Sequence, residues 1–176
     1  MKRLVGAFAV LLALTGCTTS TDDAAPTVAP TTSAAPTDPD LVPVVPVDLD
    51  TDSAETETTR IADAIQGLID PSDIVNVDDH SQVVDKTTDV AGYYGVIRTI
   101  TLESSADPIL LAQTIVGVLE SSKWLEREST NDAGLYLTAL ASSTDSASSW
   151  FLLVGGDSTV EGQSVLTLQL ASPDLP

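Results

Sequence analysis

The chain has 176 residues, with 7 Lys and Arg against 26 Asp and Glu, for a formal net charge of −19. So strong an acidic excess argues against binding nucleic acid or an anionic lipid surface through a basic patch. A single cysteine rules out any disulfide within the chain, so a folded domain must rely on its hydrophobic core.

The first 17 residues have three parts: the basic pair Lys2 and Arg3, the apolar run Leu4 to Leu14, and a small-residue ending before Cys17. This is the layout of a secretory signal peptide. The apolar run is too short to cross a bilayer, which takes about 20 such residues. The ending Leu14-Thr15-Gly16-Cys17 resembles the lipobox of bacterial lipoproteins. That resemblance implies removal of residues 1–16 as a signal peptide. It also implies a diacylglyceryl group and palmitate-type acylation on Cys17, and anchoring at the extracytoplasmic face of the cell membrane. Two acyl chains suffice for stable attachment without a membrane span. With Lys2 and Arg3 removed, five basic residues remain against 26 acidic ones, a balance of −21.

Residues 17–51 are rich in Thr, Ala, Pro and Asp, and no basic residue lies between Arg3 and Arg60. Such a composition buries too little apolar surface to offset ordering entropy, and it reads as a disordered linker. Its Thr and Ser residues beside Pro fit either an unmodified spacer or a glycosylated stalk. The run Leu41-Val42-Pro43-Val44-Val45-Pro46-Val47 is its apolar part. Two prolines disqualify that run as an interior strand, and it suits the edge of the domain.

The domain is expected over residues 52–176. Asp52 and Glu55 suggest a helix start, and Ile61, Ile65, Leu68 and Ile69 share one helical face. Pro71 ends that helix. Residues 72–91 read as a polar, acidic connection with a short strand at Ile74–Val77. Residues 92–102 are rich in β-formers. Arg98 interrupts one face there, which predicts a half-exposed or edge strand. Asp107-Pro108 opens a second helix, with Leu111, Ile115, Val118 and Leu119 as its buried stripe and Gly117 as a point of close packing. Period-two patterning follows. Strands are expected over 124–129, 135–141, 150–154 and around 166–170, with turns at 130–134, at Gly155-Gly156-Asp157 and at Gly162. Leu135, Leu137 and Ala139 share one strand face.

This order predicts an α+β fold, an antiparallel sheet of about five strands with two helices on one face. A helix followed by a Trp-led meander is similar in arrangement to domains of uncharacterised lipoproteins from high-GC Gram-positive bacteria.

The densest polar cluster is Asp70, Asp73, Asp78, Asp79, His80, Asp85 and Asp89, with Asp73, Asp78, Asp79 and Asp85 as the candidate metal ligands. Clustered carboxylates suit calcium, but the spacing matches no EF-hand loop, and a solvated connection is the simpler reading. A lone histidine is too few for a zinc centre. The chain lacks G-x-S-x-G, S-x-x-K and the nucleotide-binding glycine motifs, so no catalytic residue or cofactor is assigned. Tyr93 and Tyr94 must point to opposite strand faces, which leaves one of them, beside Arg98, as a candidate contact for an envelope protein or wall glycan. The expected function is a lipid-anchored extracytoplasmic lipoprotein displaying a small binding domain. The alternatives are an envelope hydrolase using carboxylates and a calcium-dependent adhesive domain.

Overall fold

A computed structural model of the chain describes residues 38–85, 87 and 92–176. The signal peptide, Cys17 and linker residues 17–37 lie outside the described residues. The first helix, α1, spans Thr51–Gln66 and is capped by Asp50. The Asp50 carboxylate accepts from the Ser53 N–H at 2.9 Å, and the Asp50 N–H donates to Ser53 Oγ at 3.0 Å. This reciprocal cap satisfies donors that a helix start leaves unpaired. It places the cap at Asp50, two residues ahead of the Asp52 expected from the D-x-x-E spacing. The expected stripe is buried: Ile61, Ile65 and Ile69 are in the core and Leu68 packs against it.

Strand β1 (Ile74–Val84) and strand β2 (Tyr93–Leu102) pair antiparallel. Helix α2 (Pro108–Ser121) begins at the expected cap, where the Asp107 carboxylate accepts from the N–H groups of Ile109 and Leu110. Four strands follow: β3 (Leu125–Asp132), β4 (Leu135–Ala141), β5 (Phe151–Asp157) and β6 (Ser164–Ala171). Ala133 and Gly134 alone join β3 to β4, both at positive φ (49° and 87°). That is the two-residue turn whose twist suits a hairpin.

The sheet order is β1-β2-β6-β5-β4-β3, antiparallel throughout. Four antiparallel steps separate β2 from β3, so these two strands run parallel. Parallel strands need a crossover, and α2 provides it. The meander β3 to β6 then returns the chain to lie beside β2.

The core fills one face of the sheet. Cross-strand rows such as Val96–Leu170–Leu152–Leu140 and Ile100–Leu166–Gly156–Tyr136 lie there. Both helices cover this face. Asp63 and Gln66 of α1 reach Arg98, and the first turn of α2 rests on Gly156. Both tryptophans are buried with their N–H groups satisfied: Trp150 Nε1 donates to Thr58 Oγ1 at 3.1 Å and Trp124 Nε1 donates to Leu41 O at 2.8 Å.

Several expectations change. The sheet has six strands where about five were expected: the short strand expected at Ile74–Val77 runs on through the acidic stretch read as a connection, to form the eleven-residue strand β1. It is an edge strand and mostly exposed: its apolar residues, Ile74, Val75, Val77, Val83 and Val84, sit at its two ends, and residues 78–82 between them are polar on both faces. Charges on such an edge also discourage pairing with other chains. Arg98 does not mark an edge: β2 lies between β1 and β6, and Arg98 is only 6% exposed. Gly117 is exposed with nothing within 4 Å, so no close packing occurs there. The close approach is at Gly156, inside β5, where a turn was expected.

The folded unit also begins before residue 52. Leu41 is fully buried. Arg60 donates to the carbonyls of Asp40 (2.6 Å) and Val42 (3.1 Å), and Glu57 accepts from the Val44 N–H at 2.6 Å. A proline-bearing segment cannot join a ladder as an interior strand, but side chains of the domain bind its backbone instead.

Candidate functional site

Strand residues alternate between faces, so the sheet has a second surface opposite the helices. Its central row is His80–Ile97–Gln169–Leu153–Ala139–Glu128, one residue from each strand. The row beside it is Gln82–Gly95–Ala171–Phe151–Ala141–Leu125. Among the described residues no helix lies on this face. Ile97 (40%), Phe151 (43%), Leu135 (40%) and Leu137 (36%) are exposed there.

A cleft of about 780 Å³ occupies the middle of this surface. Small residues hollow its floor: Gly95, Ala139 and Ala171. Tyr93, Ile97, Phe151 and Leu153 supply bulk around them. His80 and Gln82 of β1 line one end, and Arg127 of β3 lines the other. Gln169 is a polar group within the apolar row. Small-molecule sites have volumes of about 300 to 1,000 Å³, apolar walls and a few convergent polar groups, and this cleft fits that description.

Arg127 reaches the cleft because β3 is irregular. The register shifts between Glu126 and Glu128, so one extra residue opposes β4. A bulge of this kind re-aims a side chain. The guanidinium donates to the Ser143 carbonyl at 2.8 Å, which ties it to the loop after β4.

The residues singled out from the sequence scatter over the fold. Cys17 and its neighbours Leu14, Thr15 and Gly16 lie outside the described residues. Tyr93 lines the cleft, whereas Tyr94 is buried on the helix side. The two tyrosines do take opposite faces. Arg98 lies on the helix side as well, so it is not beside the accessible tyrosine. Arg98 binds Asp79 at 2.5 Å and Asp63 at 2.7 Å. Burial lowers the pKa of Arg98, but the two carboxylates outweigh burial and raise it above the ordinary arginine value. This arginine joins β1, β2 and α1.

The acidic cluster does not converge. Asp73 sits in the turn before β1, and its carbonyl accepts from the Glu103 N–H. Asp78 faces His80 at 3.5 Å, Asp79 is held by Arg98 on the opposite face, and Asp85 is exposed beyond the strand end. Alternation along β1 separates neighbouring carboxylates. Among the described residues no group of three or more metal-ligating side chains comes together. Likewise, no described helix is long and apolar enough to cross a membrane.

Reading for motifs missed the cleft. The available signal was Phe151-Leu152-Leu153-Val154, apolar at every position. A strand with one wet face usually alternates, so an unbroken apolar run marks a strand whose outer face is apolar as well. No family model matches the chain, and neither the curated proteins nor the solved structures contain a match.

Proposed function

We propose that this protein is an extracytoplasmic lipoprotein, anchored through acyl chains on Cys17, whose domain is a binding module for a small apolar ligand. The anchor reading rests on Leu14-Thr15-Gly16-Cys17 following a basic pair and an apolar run. The observation that carries the binding reading is the cleft of about 780 Å³ on the helix-free sheet face. A hollow floor between exposed apolar side chains suits insertion of a ligand. Side chains of the rim, His80, Gln82 and Arg127, would fix its orientation.

Two experiments test the two halves. Replacing Cys17 with Ser releases the protein from membranes on this reading; full retention refutes the anchor. For the cleft, the anchored protein is extracted from its own membrane and examined by native mass spectrometry. A non-covalent adduct of discrete mass is expected, and Ala139→Arg, which fills the floor, abolishes it. Absence of any adduct, or its persistence in Ala139→Arg, counts against the cleft as the ligand site.

A further inference from the structure

The cleft pairs an apolar floor with one cation. The chain is strongly acidic, and its arginines within the domain are few: Arg60, Arg98 and Arg127. Arg60 is bound to Glu57, and Arg98 to Asp63 and Asp79. Arg127 is different. Among the described residues it forms no ion pair within 4.0 Å, and its hydrogen bond goes to a neutral carbonyl, that of Ser143. A guanidinium carries five N–H donors, so this bond leaves most of them for a ligand.

From this juxtaposition we propose that the cleft takes a single-chain amphiphile with a carboxylate head, the head on Arg127 and the chain across Ala139, Leu153 and Ile97. The inference rests on the reading of the cleft as a ligand site and names the ligand class. The row Ala139–Leu153–Gln169–Ile97 crosses three inter-strand spacings, about 14 Å, which is a path for an extended alkyl chain and not a compact ring. Ala139 on this path, and Ala171 in the adjoining row, leave room beside Phe151 and Ile97, while the Tyr93 ring packs over Gly95.

Charge selects the head group. A protein of net charge −19 repels anions over most of its surface. Arg127 offers one compensating charge at the cleft wall, and its planar fork matches a carboxylate in bidentate geometry. One cation balances a singly charged head, whereas a doubly charged phosphate would keep an uncompensated charge in an acidic field. Glu128 follows Arg127 at this end but is not among the residues that line the cleft, whereas Arg127 is. Asp79 borders the cleft, but its carboxylate points to the helix side, where Arg98 holds it.

The test uses the full chain carrying Cys17→Ser, so that no covalent acyl chain competes for the cleft. Binding of a fluorescent long-chain carboxylate is titrated, with the alcohol of the same length as the uncharged comparison. Saturable one-to-one binding is expected. Arg127→Gln weakens the carboxylate by about tenfold, the loss of a charged hydrogen-bonding partner, and leaves the alcohol unchanged. Arg127→Lys restores part of that loss. Ala139→Arg removes both ligands, which places the chain on the sheet and not on the apolar run at residues 4–14. If carboxylate and alcohol bind alike and Arg127→Gln alters neither, the head-group assignment fails while the cleft remains a site. If neither ligand binds although the extracted protein carries an adduct sensitive to Ala139→Arg, the amphiphile class is wrong. If neither binds and no adduct exists, both readings fall. A stable dimer broken by Leu153→Asp, with no probe uptake, makes a second copy the occupant and overturns the proposal.

Discussion

Gly156 of β5 lies directly beneath Pro108, the first residue of α2: a Cβ built on Gly156 would sit 2.3 Å from the Pro108 carbonyl oxygen and 3.0 Å from Ile109 Cα. Both contacts are backbone, so no side chain can swing aside. The sequence therefore needs glycine here to seat the crossover helix on the sheet. Gly156→Ala must lift the first turn of α2, and overpacking of this kind costs about 3 kcal/mol. In a chain of this size that lowers the melting temperature by about 10 °C. Gly117→Ala is the control. Gly117 is exposed on α2 with nothing within 4 Å, so alanine there adds about 1 kcal/mol of helix stability. Thermal unfolding of the two variants should move in opposite directions. A neutral Gly156→Ala would mean that α2 does not seat on β5 as described.

What could be read from the sequence follows the range of the signal. Both helices were legible because Asp107-Pro108 and the isoleucine stripe of α1 act within a few residues. Strand β6 was legible because Leu166, Leu168 and Leu170 alternate toward the core. The alternation of Leu135, Leu137 and Ala139 also marked β4, but that set lies on the helix-free face, and Tyr136 and Leu140 face the core. Strand β1 was legible only over Ile74–Val77, since residues 78–82, polar on both faces, have no apolar alternation to detect. Arg98 misled for a related reason. Its partners Asp63 and Asp79 are 35 and 19 residues away, so a buried charge looked like an exposed one. The cleft depends on which residues share a cross-strand row, and Arg127 enters it through a bulge. Both are consequences of pairing between distant segments, and neither leaves a motif. The proline-bearing run at 41–47 had the composition of linker, yet it is held by side chains from α1 and by Trp124.

That last contact makes a quantitative claim. Leu41 is fully buried, and its carbonyl takes the Trp124 indole N–H at 2.8 Å. Leu41→Ala should cost about 3 kcal/mol in chemical denaturation, as for a residue of the central core. Val47→Ala, at a side chain that is fully exposed, should cost nothing measurable. Equal effects at the two positions would return the segment to the linker.

The Arg98 contacts predict an order of effects. Arg98 is nearly buried, and its two carboxylates differ in exposure: the Asp63 side chain is 64% exposed and that of Asp79 38%. An ion pair to the more exposed group is worth less, because water and salt screen it. Asp79→Asn should cost about 2 kcal/mol and Asp63→Asn about half a kcal/mol. In the double variant the buried guanidinium loses both charged partners, so the combined cost should exceed the sum of the two. Additive costs within about 0.3 kcal/mol would show that the two carboxylates act independently.

Acid should loosen the domain first where Glu57 holds the proline-bearing segment. Burial raises the pKa of Glu57, but the Arg60 guanidinium, the Val44 N–H and the attraction of the Arg60 charge outweigh burial and leave it below the ordinary glutamate value. The carboxylate is thus more acidic folded than unfolded. Its contribution to stability is fully present above the unfolded value, about 4.3, and is lost as pH falls through the lower folded value. Stability should therefore decline below about pH 4.3 by an amount that Glu57→Gln removes from the pH profile. The same variant should lower stability at pH 7, where the ion pair at 2.7 Å and the bond to Val44 at 2.6 Å are both intact. Denaturation curves of the two proteins across pH 3 to 7 make the comparison. Parallel profiles would mean that Glu57 carries no linkage; converging profiles at low pH would tie the docking of residues 38–50 to its ionisation.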